Sequence, residues 1–253
     1  MTLTPDCQLN QPGQISTEPQ RNPEPRIRKP GRPHTDSEAY RQAYGRINGV
    51  VVVGETLAHH HFRLLARAIP ADGAELLRLG QMEGNHAREL SECARNLGVR
   101  PDIRLAKQLF APLHQLFRQC DERGDITGCV VIQCLIVECF AVAAYRNYLP
   151  VADAFARPIT AAVLADESEH LDYGEVWLKQ RFAAVQAAVS TICLQALPTT
   201  LAILRALVDD MRVIGMDPYE LVASFGEGFQ QSLETIGFGS SEAARLLRRA
   251  MAA

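Results

Sequence analysis

No C-x-x-C pair occurs in the chain, and its seven cysteines (Cys7, Cys93, Cys120, Cys129, Cys134, Cys139 and Cys193) are odd in number. A disulfide framework and a zinc knuckle are therefore both disfavoured, and a reducing cytoplasm is the expected location. No long run of one charge sign occurs either. At a net charge of −3, neither a nucleic-acid surface nor a polybasic membrane patch is expected. Strand-like alternation of useful length is missing, which leaves an all-α class. The first 37 residues lack the apolar core of a signal peptide and are dominated by Gln, Pro and mixed charges. They are expected to form a disordered extension ahead of one helical domain over residues 38 to 253. The longest apolar run, residues 129 to 145, falls short of the ~20 residues a bilayer crossing needs, so no transmembrane segment is expected. What the chain does have is 47% hydrophobic residues against 22% charged, enough for one full core.

That apolar run carries one carboxylate, Glu138, and no Lys or Arg lies between Thr127 and Tyr145. An ionised carboxylate in an apolar interior must either take up a proton or find a cation. Around it, caps and breakers divide the chain into helices over about 38–68, 74–97, 102–122, 126–147, 155–186, 190–213, 218–235 and 241–252. Asn96-Leu97-Gly98 reads as a C-terminal cap, Asp217-Pro218 as an N-cap followed by a first-turn proline, and Pro198 as a kink or a start.

Four of these helices carry acidic or imidazole side chains on seams that otherwise read as core. The second contains Glu83-Gly-Asn-His86 within the series Leu76, Leu79, Glu83, His86, Leu90, Cys93, Leu97. The fifth contains Glu167-Ser-Glu-His170 within Val163, Glu167, His170, Gly174, Leu178. Steps of three and four keep each Glu-x-x-His pair on one face. Glu55 lies on the first helix among Ile47, Val51, Ala58, Phe62 and Leu65, and Glu138 on the fourth among Val131, Leu135, Val142 and Tyr145. Glu55 precedes Glu83 by 28 residues and Glu138 precedes Glu167 by 29, the pattern of two hairpins joined by a crossover over residues 98 to 127. Each ligand lies ~15 to 24 Å from its turn at helical rise, so all can meet at one level. One Glu from each of two helices plus Glu-x-x-His from each of the other two is the ligand set of ferritin-like di-iron carboxylate bundles. Four carboxylates offset two divalent cations, and oxygen-rich donors with two imidazoles suit iron, or manganese, better than zinc. Asp166 is a candidate to orient a ligating His, set against a plain surface acid.

Beyond the ligands, the chain resembles the cyanobacterial aldehyde-deformylating oxygenases, or aldehyde decarbonylases, from about Tyr40 to the C-terminus. The resemblance is carried by Tyr44-Gly-Arg-Ile-Asn48, Gly54-Glu55, Asn96-Leu-Gly98, Phe110-Ala-Pro-Leu113, Ile132-Gln133, Asp166-Glu167 with His170, Tyr173-Gly-Glu175 and Ser232-Leu-Glu-Thr-Ile-Gly-Phe238. It implies a ferritin-like four-helix bundle with additional helices and two iron ions on Glu55, Glu83, His86, Glu138, Glu167 and His170. The implied reaction takes a long-chain fatty aldehyde, O2 and four electrons to an alkane one carbon shorter plus formate, as a carbon–carbon lyase. Implied partners are an NADP-linked, ferredoxin-type electron donor and an acyl-carrier-protein reductase that supplies the aldehyde. Departures are Val53 for an acidic residue, Asn85 for Arg, Phe62 for Tyr, and a longer N-terminal extension.

Gly54, Ala58, Gly84, Ala87, Ala141 and Ala144 keep bulk low beside the ligands, which fits close helix packing and an apolar channel equally well. The resemblance favours a channel, with Ile47, Phe110, Gln133, Ala141 and Tyr145 near it. Tyr145 is the catalytic candidate, as a hydrogen-bond donor near the metals, against a plain core role. His59-His60-His61 point in successive directions and read as solvated histidines. Cys93 reads as a small core residue before a reactive one. Another di-iron oxidase or oxygenase, and a ferroxidase or other iron-handling protein, are the alternatives.

Overall fold

The structure is a computed structural model, and residues 37 to 252 are described; the expected N-terminal extension lies outside them apart from Ser37. Helix α1 (Glu38–Ala68) starts where the Ser37 hydroxyl accepts the Tyr40 N–H and ends before a 3₁₀ turn at Pro70–Asp72. Helix α2 (Gly73–Asn96) runs back along it and stops at Gly98, whose φ of 62° suits glycine. Next come α3 (Ile103–Glu122), α4 (Ile126–Val131), a π-helical segment (Ile132–Val137) and α5 (Glu138–Tyr148). The chain returns in α6 (Ala156–Ala206) and closes with α7 (Val208–Val213), α8 (Pro218–Ile236) and α9 (Ser240–Met251). No strand occurs among the described residues.

Helices α1, α2, the continuous rod from α4 through α5, and α6 form a four-helix bundle whose shared interior is the core. The crossover between its two hairpins is α3, which is held to α1 by a close backbone approach. The Asp102 N–H donates to Gly45 O at 2.8 Å, and a Cβ on Gly49 would meet Asp102 O at 2.6 Å. The Asp102 carboxylate then caps α3 by accepting the Leu105 N–H at 2.9 Å. Helices α7, α8 and α9 pack along α1, α5 and α6 and extend the core beyond the bundle.

One expectation about the elements needs correction. The helices expected over 155–186 and 190–213 are one 51-residue helix up to Ala206, with Pro198 inside it. Proline in a helix interior costs ~3 kcal/mol. Burial of Val189, Ile192, Leu197 and Leu201 around it, at roughly 1.5 to 3 kcal/mol for each large aliphatic side chain, is sufficient to hold the helix through that point. The apolar helix expected over 126–147 runs over Ile126–Tyr148. By length and composition both Ile126–Tyr148 and Ala156–Ala206 could cross a membrane, but 72% of the apolar window of the first and 50% of that of the second are buried within the protein.

Candidate metal centre

Glu55, Glu83, His86, Glu138, Glu167 and His170 converge in the middle of the bundle, each at most 6% exposed. They form two overlapping groups, Glu55–Glu83–His86–Glu167 and Glu83–Glu138–Glu167–His170, with the ligating atoms of each within 4.8 Å of one another. Glu83 and Glu167 belong to both. Glu83 turns Oε2 toward His86 Nδ1 at 3.4 Å and Oε1 toward His170 Nδ1 at 3.1 Å. Glu167 likewise sets Oε1 at 3.4 Å from His86 Nδ1 and Oε2 at 3.4 Å from His170 Nδ1. Each shared carboxylate thus offers one oxygen to each half of the site and would be available to an ion held in either.

The other two carboxylates belong to one half each, and each has one oxygen held by a protein donor. The Tyr145 hydroxyl donates to Glu55 Oε1, leaving Oε2 facing His86 Nδ1 at 3.5 Å. Gln133 Nε2 donates to Glu138 Oε1 at 2.9 Å, leaving Oε2 facing His170 Nδ1 at 3.7 Å. The second contact depends on the π-helical segment. Residues five apart on an α-helix differ by about 140° around its axis, whereas the wider π turn brings i and i+5 together. The segment also lies against Gly174 of α6, where a Cβ would fall 2.1 Å from Cys134 O. Nothing in the residue pattern announced the π turn.

His86 Nε2 donates to Asp166 Oδ2 at 2.9 Å, which leaves Nδ1 as the ring nitrogen that faces the carboxylates. His170 has no such partner, and both of its ring nitrogens are buried without a hydrogen bond. Also without one are His86 Nδ1, both oxygens of Glu83 and Oε1 of Glu167. Burial and the neighbouring Glu167 push the Glu138 carboxyl up to about 8. Burial together with Glu167, Glu55 and Glu138 pushes Glu83 up as well. His170 and His86 hold Glu167 below the usual carboxylate range against its burial, and the glutamates push both imidazoles up, so without metal ions the cluster shares protons among its carboxyls and rings. Orphaned oxygen and nitrogen donors that converge in this way fit a pair of divalent cations, which would supply the missing positive charge.

A narrow apolar cavity of ≈ 80 Å³ opens onto Glu55, Glu83, Glu138 and Glu167. Ile47, Phe110, Ala141 and Tyr145 line it, with Gly54, Ala58 and Ala144, and it continues between Leu204, Leu207, Met211 and Leu221. Gln133 is not among the residues that line it and sits behind Glu138, to which it is hydrogen-bonded. The histidine triplet also differs from expectation. His60 is exposed and the His59 ring is bonded to Gly80 O, but His61 is buried, with Nδ1 at 2.7 Å from Gln133 Oε1. Helix α3 covers that face of α1, which local spacing could not reveal. Cys93 is buried, and burial pushes its thiol up to about 11, so it stays protonated.

Residues 37–252 match the family model of long-chain fatty aldehyde decarbonylases. A solved structure described as protein 19 with aldehyde deformylating oxidase activity from Synechococcus is 62% identical, with a TM-score of 0.84 over 85% of this chain and 99% of that one. Bundle, ligand seams and sequence agree, and the chain belongs to the long-chain fatty aldehyde decarbonylase family.

Proposed function

We propose that the protein converts long-chain fatty aldehydes to alkanes one carbon shorter plus formate, with two iron ions held by Glu55, Glu83, His86, Glu138, Glu167 and His170. The observation that carries this reading is the pair of overlapping Glu/His groups sharing Glu83 and Glu167 and opening onto an apolar cavity. Family membership supports the aldehyde as substrate. The balance is RCHO + O2 + 4 e⁻ + 4 H⁺ → RH + HCOOH + H2O, so the carbonyl carbon leaves as formic acid and the alkyl group gains hydrogen. Bound iron would supply the redox chemistry that activates O2; manganese suits the same carboxylate-rich donor set.

The chain's own residues bind, orient and exclude water. Glu83 and Glu167 tie the two halves together, Asp166 sets the His86 tautomer, and Tyr145 and Gln133 each hold one carboxylate oxygen. The apolar walls take the alkyl chain and keep bulk water from the reacting carbon. Ala141 and Gly54 leave room beside the ligands. At Gly54 a Cβ would press within 3.2 Å of Phe110 Cζ, so a larger residue there would displace that ring. A ferredoxin-type donor and an acyl-carrier-protein reductase are the partners the family reading suggests, in a cytoplasmic setting.

One assay tests the proposal. Anaerobic protein loaded with Fe2+ is given octadecanal, a reducing system and O2, and the products are analysed. Heptadecane and formate in equal amounts are expected. A ferroxidase would oxidise the iron and release neither.

A further inference from the structure

Behind Glu138 lies a run of side chains that takes no part in ligation. Gln133 Nε2 donates to Glu138 Oε1 at 2.9 Å, His61 Nδ1 lies 2.7 Å from Gln133 Oε1, and His61 Nε2 lies 3.0 Å from His114 Nδ1. The polarity of this run is fixed by elimination. With an ion on Glu138 that group is a carboxylate and only accepts, so the amide turns its NH2 to Glu138 and its oxygen to His61. That oxygen must receive a proton, so His61 carries its hydrogen on Nδ1. Burial pushes the His61 imidazole down to about 3, so it holds only that one proton. Nε2 is then bare, and His114 Nδ1 must donate to it. Every donor points inward, from His114 to the carboxylate.

We propose that His61 and His114 are positioning residues for the metal centre, acting through Gln133 to fix which oxygen of Glu138 is left for an ion. This rests on the reading of Glu138 as a metal ligand. His61 is 3% exposed and lies flat against Phe117, with ring centroids 3.7 Å apart, and more loosely against His114 at 5.3 Å. Its ring therefore has little freedom to turn. His114 lines a surface cleft of ≈ 870 Å³ between α1 and α3, so the run connects the buried carboxylate to the outside of the bundle. Gln133 is itself 1% exposed, and the imidazole pair sets which end of its amide faces Glu138. Outer partners of this kind are typically worth ~10- to 100-fold in metal affinity.

Anaerobic Co2+ titration of the full chain, followed by its visible absorption, provides the test. Wild type should take up two equivalents. His61→Phe keeps a flat ring against Phe117 but donates nothing; it should shift the absorption bands and weaken one equivalent ~10-fold or more. His61→Gln, which restores a donor, should recover much of both. His114→Leu, at the cleft end, should shift the bands in the same direction by less. If His61→Phe does not fold, the His114→Leu spectrum decides. Wild-type bands and affinity in both His61→Phe and His114→Leu would overturn the proposal. So would an equal loss in His61→Phe and His61→Gln, which marks a packing role. Wild-type protein that binds no ion pair would instead overturn the metal-centre reading itself.

Discussion

Asp166 is 41% exposed at its side chain, yet it decides which nitrogen of a buried ring carries the proton. Only one half of the site has such an orienting acid. Asp166→Ala should therefore weaken binding in the Glu55–His86 half by ~10-fold or more while leaving the Glu138–His170 half near its original affinity. Stepwise metal titration reads the two separately. His61 makes a second prediction at this scale. Unfolded, its imidazole takes up a proton as pH falls through the ordinary 6.5; folded, it resists protonation down to about 3. The unfolded chain thus binds more protons throughout that window. His61's contribution to stability is complete above pH 6.5 and is lost progressively below it, by ~2 kcal/mol between pH 7 and pH 5. Urea midpoints of wild type and His61→Gln at both pH values should show that extra loss in wild type alone.

Between elements, the interplay of the π-helical segment with α6 governs the site. Helix α6 approaches so closely at Gly174 that a Cβ would overlap Cys134 O. Gly174→Ala should cost ~3 kcal/mol or more, since backbone and not a flexible side chain must yield, and should disturb the Gln133–Glu138 contact. Denaturant unfolding measures the first effect and Co2+ absorption the second. On the next helix, Ala141→Phe should block turnover of long aldehydes at unchanged bound-metal content; unchanged turnover would remove Ala141 from the proposed channel. Helix existence and the inward seams were legible in the residues, because three-and-four spacing is local. The π turn was not, because five of the six residues in Ile132–Val137 are apolar and the sixth, Gln133, is equally compatible with an ordinary α-helix. The continuity of α6 through Pro198 was equally hidden, since it depends on what packs around that proline.

At the scale of the whole molecule, the N-terminal helix of the bundle is fastened to the chain's last third. Arg46 grips Asp210 with two guanidinium nitrogens, Nε at 2.8 Å, across 164 residues of sequence. Asp210 is 7% exposed. Removing the arginine strands a nearly buried carboxylate. Arg46→Ala should lower stability by ~1 to 3 kcal/mol, discounted because the arginine side chain is itself 38% exposed. Asp210→Asn in the Arg46→Ala background should recover part of it, as read by thermal unfolding. Arg46 sits in the segment Tyr44-Gly-Arg-Ile-Asn48, and only the fold shows its task there.

By itself the sequence determined the class of the protein, the four helices that form the bundle and the six donors they bring inward. Each of these follows from periodicity and from the cost of placing charge on an apolar seam. Tertiary structure alone decided that Glu83 and Glu167 are shared, that Gln133 backs Glu138 instead of lining the cavity, and that His61 is buried. Those facts depend on how far one helix turns and slides against another, a rotation of tens of degrees that local spacing does not encode.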